Sequence, residues 1–133
     1  MGIVKMYGPL IGRVLLALIF IIDGFGKITG FEGTIRYMQA YHMPMTQVLA
    51  VMAIIIELSG GIMVVVGWKA RWAAAAFFIY VLVVSFVFHA FWAVPANQVQ
   101  LQSIMFMKNL AIMGGMLYII VHGSGPLSVD KNR

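Results

Sequence analysis

The chain has 133 residues, 62% of them hydrophobic and 10% charged, with a mean hydropathy of +0.98. A soluble domain of this length cannot hide so much apolar surface, so the composition excludes one and points to an integral membrane protein. The net charge of +5 comes without a basic stripe of interleaved aromatics, which leaves nucleic-acid binding unsupported, and the absence of cysteine rules out disulfides, thiolate metal sites and dithiol redox chemistry.

Four segments approach the roughly 20 residues needed to cross a bilayer. They run at about 8–27, 45–67, 71–92 and 104–122, and predict an all-α four-helix membrane bundle formed by a single domain over 1–133. The first span mimics a signal peptide, with Lys5 and Arg13 ahead of the apolar run Val14 to Ile22. Asp23 and Lys27 follow where a small-residue cleavage site would stand, so a retained helix is expected. Asp23 and Lys27 stand at i and i+4 in acid-first order, a spacing that favours an ion pair.

After the break at Gly30, Phe31, Ile35, Met38 and Tyr41 recur at helical spacing with Glu32, Arg36 and Gln39 between them. This predicts a short interfacial helix, which either caps a cavity or lies at headgroup level on Tyr37 and Tyr41. Pro44 opens the second span. There Glu57 is the one ionisable side chain in the run "AIIIELSGGIMVVVG", and Ala50, Ala53, Glu57 and Gly61 share a face. A carboxylate at such depth is too far from the interface to snorkel, so it is either protonated or paired.

The basic turn Lys69 to Arg71 joins the second and third spans as a hairpin. Phe78, Leu82, Ser85, His89 and Trp92 align in the third span, and Lys108, Ala111, Gly115, Tyr118 and His122 in the fourth. In the first, Arg13, Phe20, Asp23, Gly24 and Lys27 fall within about one quadrant. Asp23, Lys27, His89, Lys108 and Asn109 lie towards one set of helix ends, with Glu57 roughly 18 Å along its helix from that side. The polar groups thus describe a funnel with Glu57 at its floor. Lys5, Arg13, Lys69, Arg71, Lys131 and Arg133 gather on the opposite side, which the positive-inside rule assigns to the cytoplasm together with both termini.

The stretches "GRVLLALIFIIDGFGKITGFEGT" at 12–34, "IELSGG" at 56–61, "GWKARWAA" at 67–74, "FHAFW" at 88–92 and "FMKNLAIMGGMLYIIVHGSGPLSVD" at 106–130 resemble the DoxX family of four-helix bacterial membrane proteins. The family's motif positions fall on Arg13, Gly24, Lys27, Glu57, Gly61, His89, Trp92, Lys108 and Asn109, and Asp23 lies within the first motif. The resemblance implies a bacterial inner-membrane protein linked to quinone or thiosulfate:quinone oxidoreduction, while distant relatives act as assembly chaperones.

Together these readings give a membrane component of a quinone-linked oxidoreductase system, with a quinone or small redox ligand in the outward-facing funnel. Glu57 and His89 are the expected proton-exchanging pair. Arg13, Asp23, Lys27, Phe88, Trp92, Lys108 and Asn109 are the expected ligand-binding residues, with Phe91 helping to form an aromatic slot. His89 and His122 sit at opposite helix ends and cannot share one haem, and no local ligand spacing marks a metal site. Electrons therefore call for a protein partner or a bound redox cofactor; a homo-oligomer is the other association considered. The alternative is a non-catalytic membrane protein, either a proton-coupled transporter of a small solute or an assembly scaffold. Because the chain lacks cysteine, orientation is directly testable: Gln98→Cys is expected to react with a membrane-impermeant maleimide on intact cells, and Lys131→Cys only after the membrane is opened.

Overall fold

The computed structural model describes residues 2–131, so Arg133, counted above among the flanking bases, lies outside the described residues. Five α-helices follow one another: α1 (Gly2–Thr29), α2 (Phe31–Ala40), α3 (Thr46–Val66), α4 (Ala70–Phe88) and α5 (Val99–His122). Short 3-10 turns at Phe91–Ala93 and Ala96–Gln98 link α4 to α5. Four helical segments are long and apolar enough to cross a membrane, and α2 is the short helix between the first two. The fold is an all-α membrane four-helix bundle.

The spans differ from expectation mainly at their ends. α1 begins ahead of Pro9, and α5 begins at Val99 rather than near 104, continuing directly from the turn after Pro95. α4 stops at Phe88, short of the expected 92. At that point Tyr41 of the α2–α3 connection donates its hydroxyl to the Phe88 carbonyl at 3.4 Å, satisfying a helix-end acceptor from outside the helix. Phe91 and Trp92 then turn onto Phe86 and Phe106 instead of extending the helix.

Helices in lipid gain little from apolar burial alone, so close packing of small residues carries their association. α3 turns Ala50, Ala53, Glu57, Gly61 and Val64 inward, as its spacing predicts. A Cβ on Gly61 would lie 2.7 Å from Ile21 of α1, and one on Gly24 would lie 2.8 Å from Leu58 of α3. The two glycines thus bring α1 and α3 into contact from both sides. Gly60 receives the ring of Phe77 from α4, which in turn stacks on Phe20 with centroids 4.1 Å apart.

The expected faces of α4 and α5 need correction. α4 buries Ala70, Ala73, Ala74, Phe77, Val81 and Ser85, while Leu82 and Trp92 are exposed. α5 buries Asn109, Met113, Met116 and Ile119, and Tyr118 is 72% exposed. Both helices are apolar nearly all round, so two neighbouring stripes look alike in the sequence and packing selects one.

The end of the bundle that carries both termini is clasped by the C-terminal segment. Val129 and Asp130 pair their N–H groups with the Val66 and Gly67 carbonyls at 3.0 and 2.8 Å. The Asp130 carboxylate accepts the N–H groups of Lys69 and Ala70 at 2.7 and 3.0 Å, capping the start of α4. Gly67 closes α3 at φ +71°, and a Cβ there would collide with Ser128, so glycine is needed for conformation and for space. Gly61→Ala is expected to lower stability in detergent by about 1–3 kcal/mol through overpacking. Gly114→Ala, whose Cβ would meet nothing within 4 Å, is expected to hold or raise it. Thermal unfolding of the two variants checks the contrast.

Candidate functional site

At the end of the bundle away from the termini, a cavity of about 480 Å³ opens between the helices. Its walls are the last turns of α1 and α4 and the first part of α5; α2 covers it, and Glu57 of α3 lies at its floor. Most of the lining is apolar, including Ile19, Phe20, Val81, Val84, Met105 and Ile112.

Glu57 is paired. Lys27 donates to Oε1 at 2.9 Å, and the Tyr80 hydroxyl donates to Oε2 at 3.3 Å. The carboxylate side chain is 3% exposed, whereas that of Lys27 is 24% exposed, so the ammonium reaches down from the cavity to a buried acid. Among the described residues Lys27 forms its ion pair with Glu57, and not with Asp23 four residues away as the spacing suggested. The reason is desolvation: the deeper carboxylate gains more from a partner than the shallower one. Tyr80 was absent from the sequence-derived site. Its signal was a single hydroxyl within "FFIYVLVV", since a buried tyrosine hydroxyl usually has a hydrogen-bond partner.

A second polar group lies on the α4–α5 wall. Asn109 donates through Nδ2 to Ser85 Oγ at 3.0 Å, and Ser85 donates to the Val81 carbonyl at 2.6 Å. All of this chain is buried. Higher up, His89 Nδ1 lies 2.8 Å from Gln102 Oε1, an arrangement that places the ring proton on Nδ1 and leaves Nε2 as acceptor. Gln102 carried no sequence signal, because the chain between the third and fourth spans reads as loop.

Asp23 and Lys108 also line the cavity, and among the described residues neither makes a hydrogen bond or ion pair. Phe88 contributes its ring and stacks with Tyr37 of α2 at 5.2 Å, while Tyr41 meets the same ring edge-on at 4.9 Å. These contacts fix α2 as the cavity's cover, the first of its two expected roles. Partial burial, reinforced by the Tyr41 hydroxyl, pushes the Tyr37 phenol above its ordinary value and keeps it protonated.

Two expected ligand-binding residues lie elsewhere. Arg13 is at the far end of the bundle, 2% exposed, donating to the Ser124 and Leu127 carbonyls at 3.1 and 2.8 Å. It fastens the C-terminal segment to α1: helix phase places it on the right face, but about four turns along the helix from Lys27. Trp92 is 56% exposed and packs among Phe86, Phe91 and Phe106. Neither it nor Phe91 lines the cavity, so the aromatic slot reduces to Phe88 with Phe20 and Tyr37. The early end of α4 is the cause. Among the described residues no three histidine or carboxylate side chains converge as a metal-ligand set.

A four-helix membrane bundle with an inward-facing carboxylate–lysine pair defines the class, and the family model for DoxX matches residues 8–90. The chain is 36% identical over 122 residues to the inner membrane protein YphA of Escherichia coli, covering 92% of this chain and 87% of that one. It is 37% identical over 124 residues to the inner membrane protein YqjF of the same organism, covering 93% and 90%. A 64-residue stretch, 48% of this chain and 46% of the other, is 36% identical to CatD of Bacillus subtilis, provisionally named as an oxidoreductase. No solved structure matches significantly. The chain belongs to the DoxX family.

The pair at the cavity floor makes a direct prediction. Lys27→Met leaves a buried charge unpaired and is expected to cost about 3–5 kcal/mol. Lys27→Met with Glu57→Gln is expected to recover most of that loss. Unfolding in detergent, compared across the single and double variants, measures the coupling.

Proposed function

We propose that this protein is the quinone-binding membrane component of an oxidoreductase system in the bacterial inner membrane. The observation that carries the reading is the Lys27–Glu57–Tyr80 cluster at the floor of an apolar-walled cavity. Counted at formal charge, Asp23 and Glu57 balance Lys27 and Lys108 in the lining, so the cavity carries no formal net charge. Such a site favours a neutral ring with hydrogen-bonding oxygens over a free anion or cation. Its volume of about 480 Å³ is within the ordinary range for small-molecule sites.

A quinone presents two carbonyl oxygens. Lys108, whose ammonium is unengaged, and Lys27, which has two N–H groups beyond the one held by Glu57, are the donors available to them. Phe20, Tyr37 and Phe88 provide ring faces. Reduction of the quinone to a quinol consumes two electrons and two protons. In this reading His89 and the Glu57–Tyr80 pair handle protons, and a protein partner delivers the electrons. The cavity faces outward, with both termini in the cytoplasm, by the distribution of flanking Lys and Arg. The inner-membrane names of the two long relatives and the oxidoreductase name of CatD support the assignment.

Protein purified in nanodiscs is expected to retain a quinone that solvent extraction and absorbance reveal. Glu57→Gln and Lys108→Ala are each expected to weaken its binding by about tenfold or more, the worth of one charge-assisted hydrogen bond. Absence of any bound or added quinone, together with a proton-coupled solute flux in liposomes, would instead identify a transporter.

A further inference from the structure

The bundle is closed on three sides. α1 packs along α3, α3 along α4 and α4 along α5, but no comparable backbone packing joins α1 to α5. Two cavities lie on this open seam. The outer one, described above, is bounded there by Ile19 of α1 and Ile112 of α5. The second, of about 460 Å³, lies nearer the termini and is bounded by Leu16 and Gly115. From one to the other the walls step three residues along each helix, about 4.5 Å. Leu16 lies against Gly115 on this seam, where a Cβ on the glycine would lie 3.1 Å from Leu16. Leu16, Gly115 and Ile119 give the second cavity an apolar, small-residue part, while Arg13, Tyr118 and His122 add polar groups, Arg13 donating to backbone carbonyls.

We propose that the ligand over Glu57 is a lipid-soluble amphiphile whose long hydrocarbon tail lies in the α1–α5 seam, past Gly115 and into the second cavity, and that it enters sideways from the bilayer. The inference rests on the quinone reading for its headgroup and goes beyond it in the tail and the route. A polar head and a hydrocarbon tail match the two ends of the seam: hydrogen-bonding groups around Lys27, Glu57 and Lys108 at one end, and aliphatic and glycine surface at Leu16, Gly115 and Ile119 towards the other. α2, locked over the outer mouth by Tyr37 and Tyr41 on Phe88, leaves the gap between α1 and α5 as the approach that suits a membrane-dissolved molecule.

The test compares a tail-less quinone with the same ring carrying a long isoprenoid tail, using the protein in nanodiscs. Gly115→Leu and Leu16→Trp narrow the seam without touching the outer cavity. Each is expected to weaken binding of the tailed compound about tenfold while leaving the tail-less one within about twofold. With the unmodified chain, a photoreactive group at the tail end is expected to label residues around Gly12–Leu16 and Gly115–Ile119, read by peptide mass spectrometry; this readout does not depend on how well the variants fold. Labelling elsewhere, or equal effects on both compounds, overturns the tail assignment and leaves the headgroup site standing. A change of oligomeric mass in Gly115→Leu would show the seam to be covered by a second copy, which also overturns it. Failure of both compounds to bind the unmodified protein removes the quinone reading and the tail with it.

Discussion

The Lys27–Glu57 ion pair is the constraint around which this bundle is arranged. A charge at the centre of a bilayer costs about 2.5–3.5 kcal/mol on insertion scales, and a lone carboxylate on α3 would bear that cost in full. Lys27 at the end of α1 and Tyr80 in the middle of α4 supply hydrogen bonds to its two oxygens. Three helices are therefore tied to one point. For α1 to come that close to α3 the backbones must nearly touch, and Gly24 and Gly61 provide the space on either side. The stripe of small residues on α3 is a consequence of the same requirement.

The two ends of the bundle use their polar groups differently. At the end bearing the termini, Arg13 and Asp130 spend their hydrogen bonds on backbone groups of the C-terminal segment and the α3–α4 turn. Those interactions tie distant parts of the chain together through backbone groups, as structural clasps do. At the other end, Lys108 and Asp23 face a cavity with no protein partner among the described residues, and Lys27 keeps donors in reserve. Hydrogen-bonding capacity left open in an apolar-walled space is what a ligand site requires.

Charge balance then narrows the chemistry. A cavity with two acids and two bases is not built for a bare ion, and the pairing of Lys27 with Glu57 means that protonating or neutralising one partner releases the other. In the quinone reading proposed above, this is how proton movement would be coupled to events in the cavity. α2 and its aromatic contacts at Phe88 cover the cavity's end, and the proposed route from the membrane runs through the α1–α5 seam.

Much of this was legible in the residues. Composition alone required a membrane protein, segment lengths required four crossings, and the period of 3.6 placed Glu57, Gly61, Ala50 and Ala53 on one face of α3 and Arg13, Phe20 and Gly24 on one face of α1. These features depend on local pattern, which a linear sequence carries. That Glu57 must be either protonated or paired also followed, because burial of a charge has a large cost wherever it occurs. Which partner it found did not follow. Asp23 is four residues from Lys27 and Glu57 is thirty, yet the pair forms across helices, since distance in space and degree of desolvation decide it. The rotations of α4 and α5, the early stop of α4 at Phe88, the removal of Trp92 from the site and the structural role of Arg13 were likewise settled only by tertiary packing. Helices that are apolar on every side offer no preferred face until their neighbours arrive, and depth along a bundle is measurable only once the helices stand beside one another.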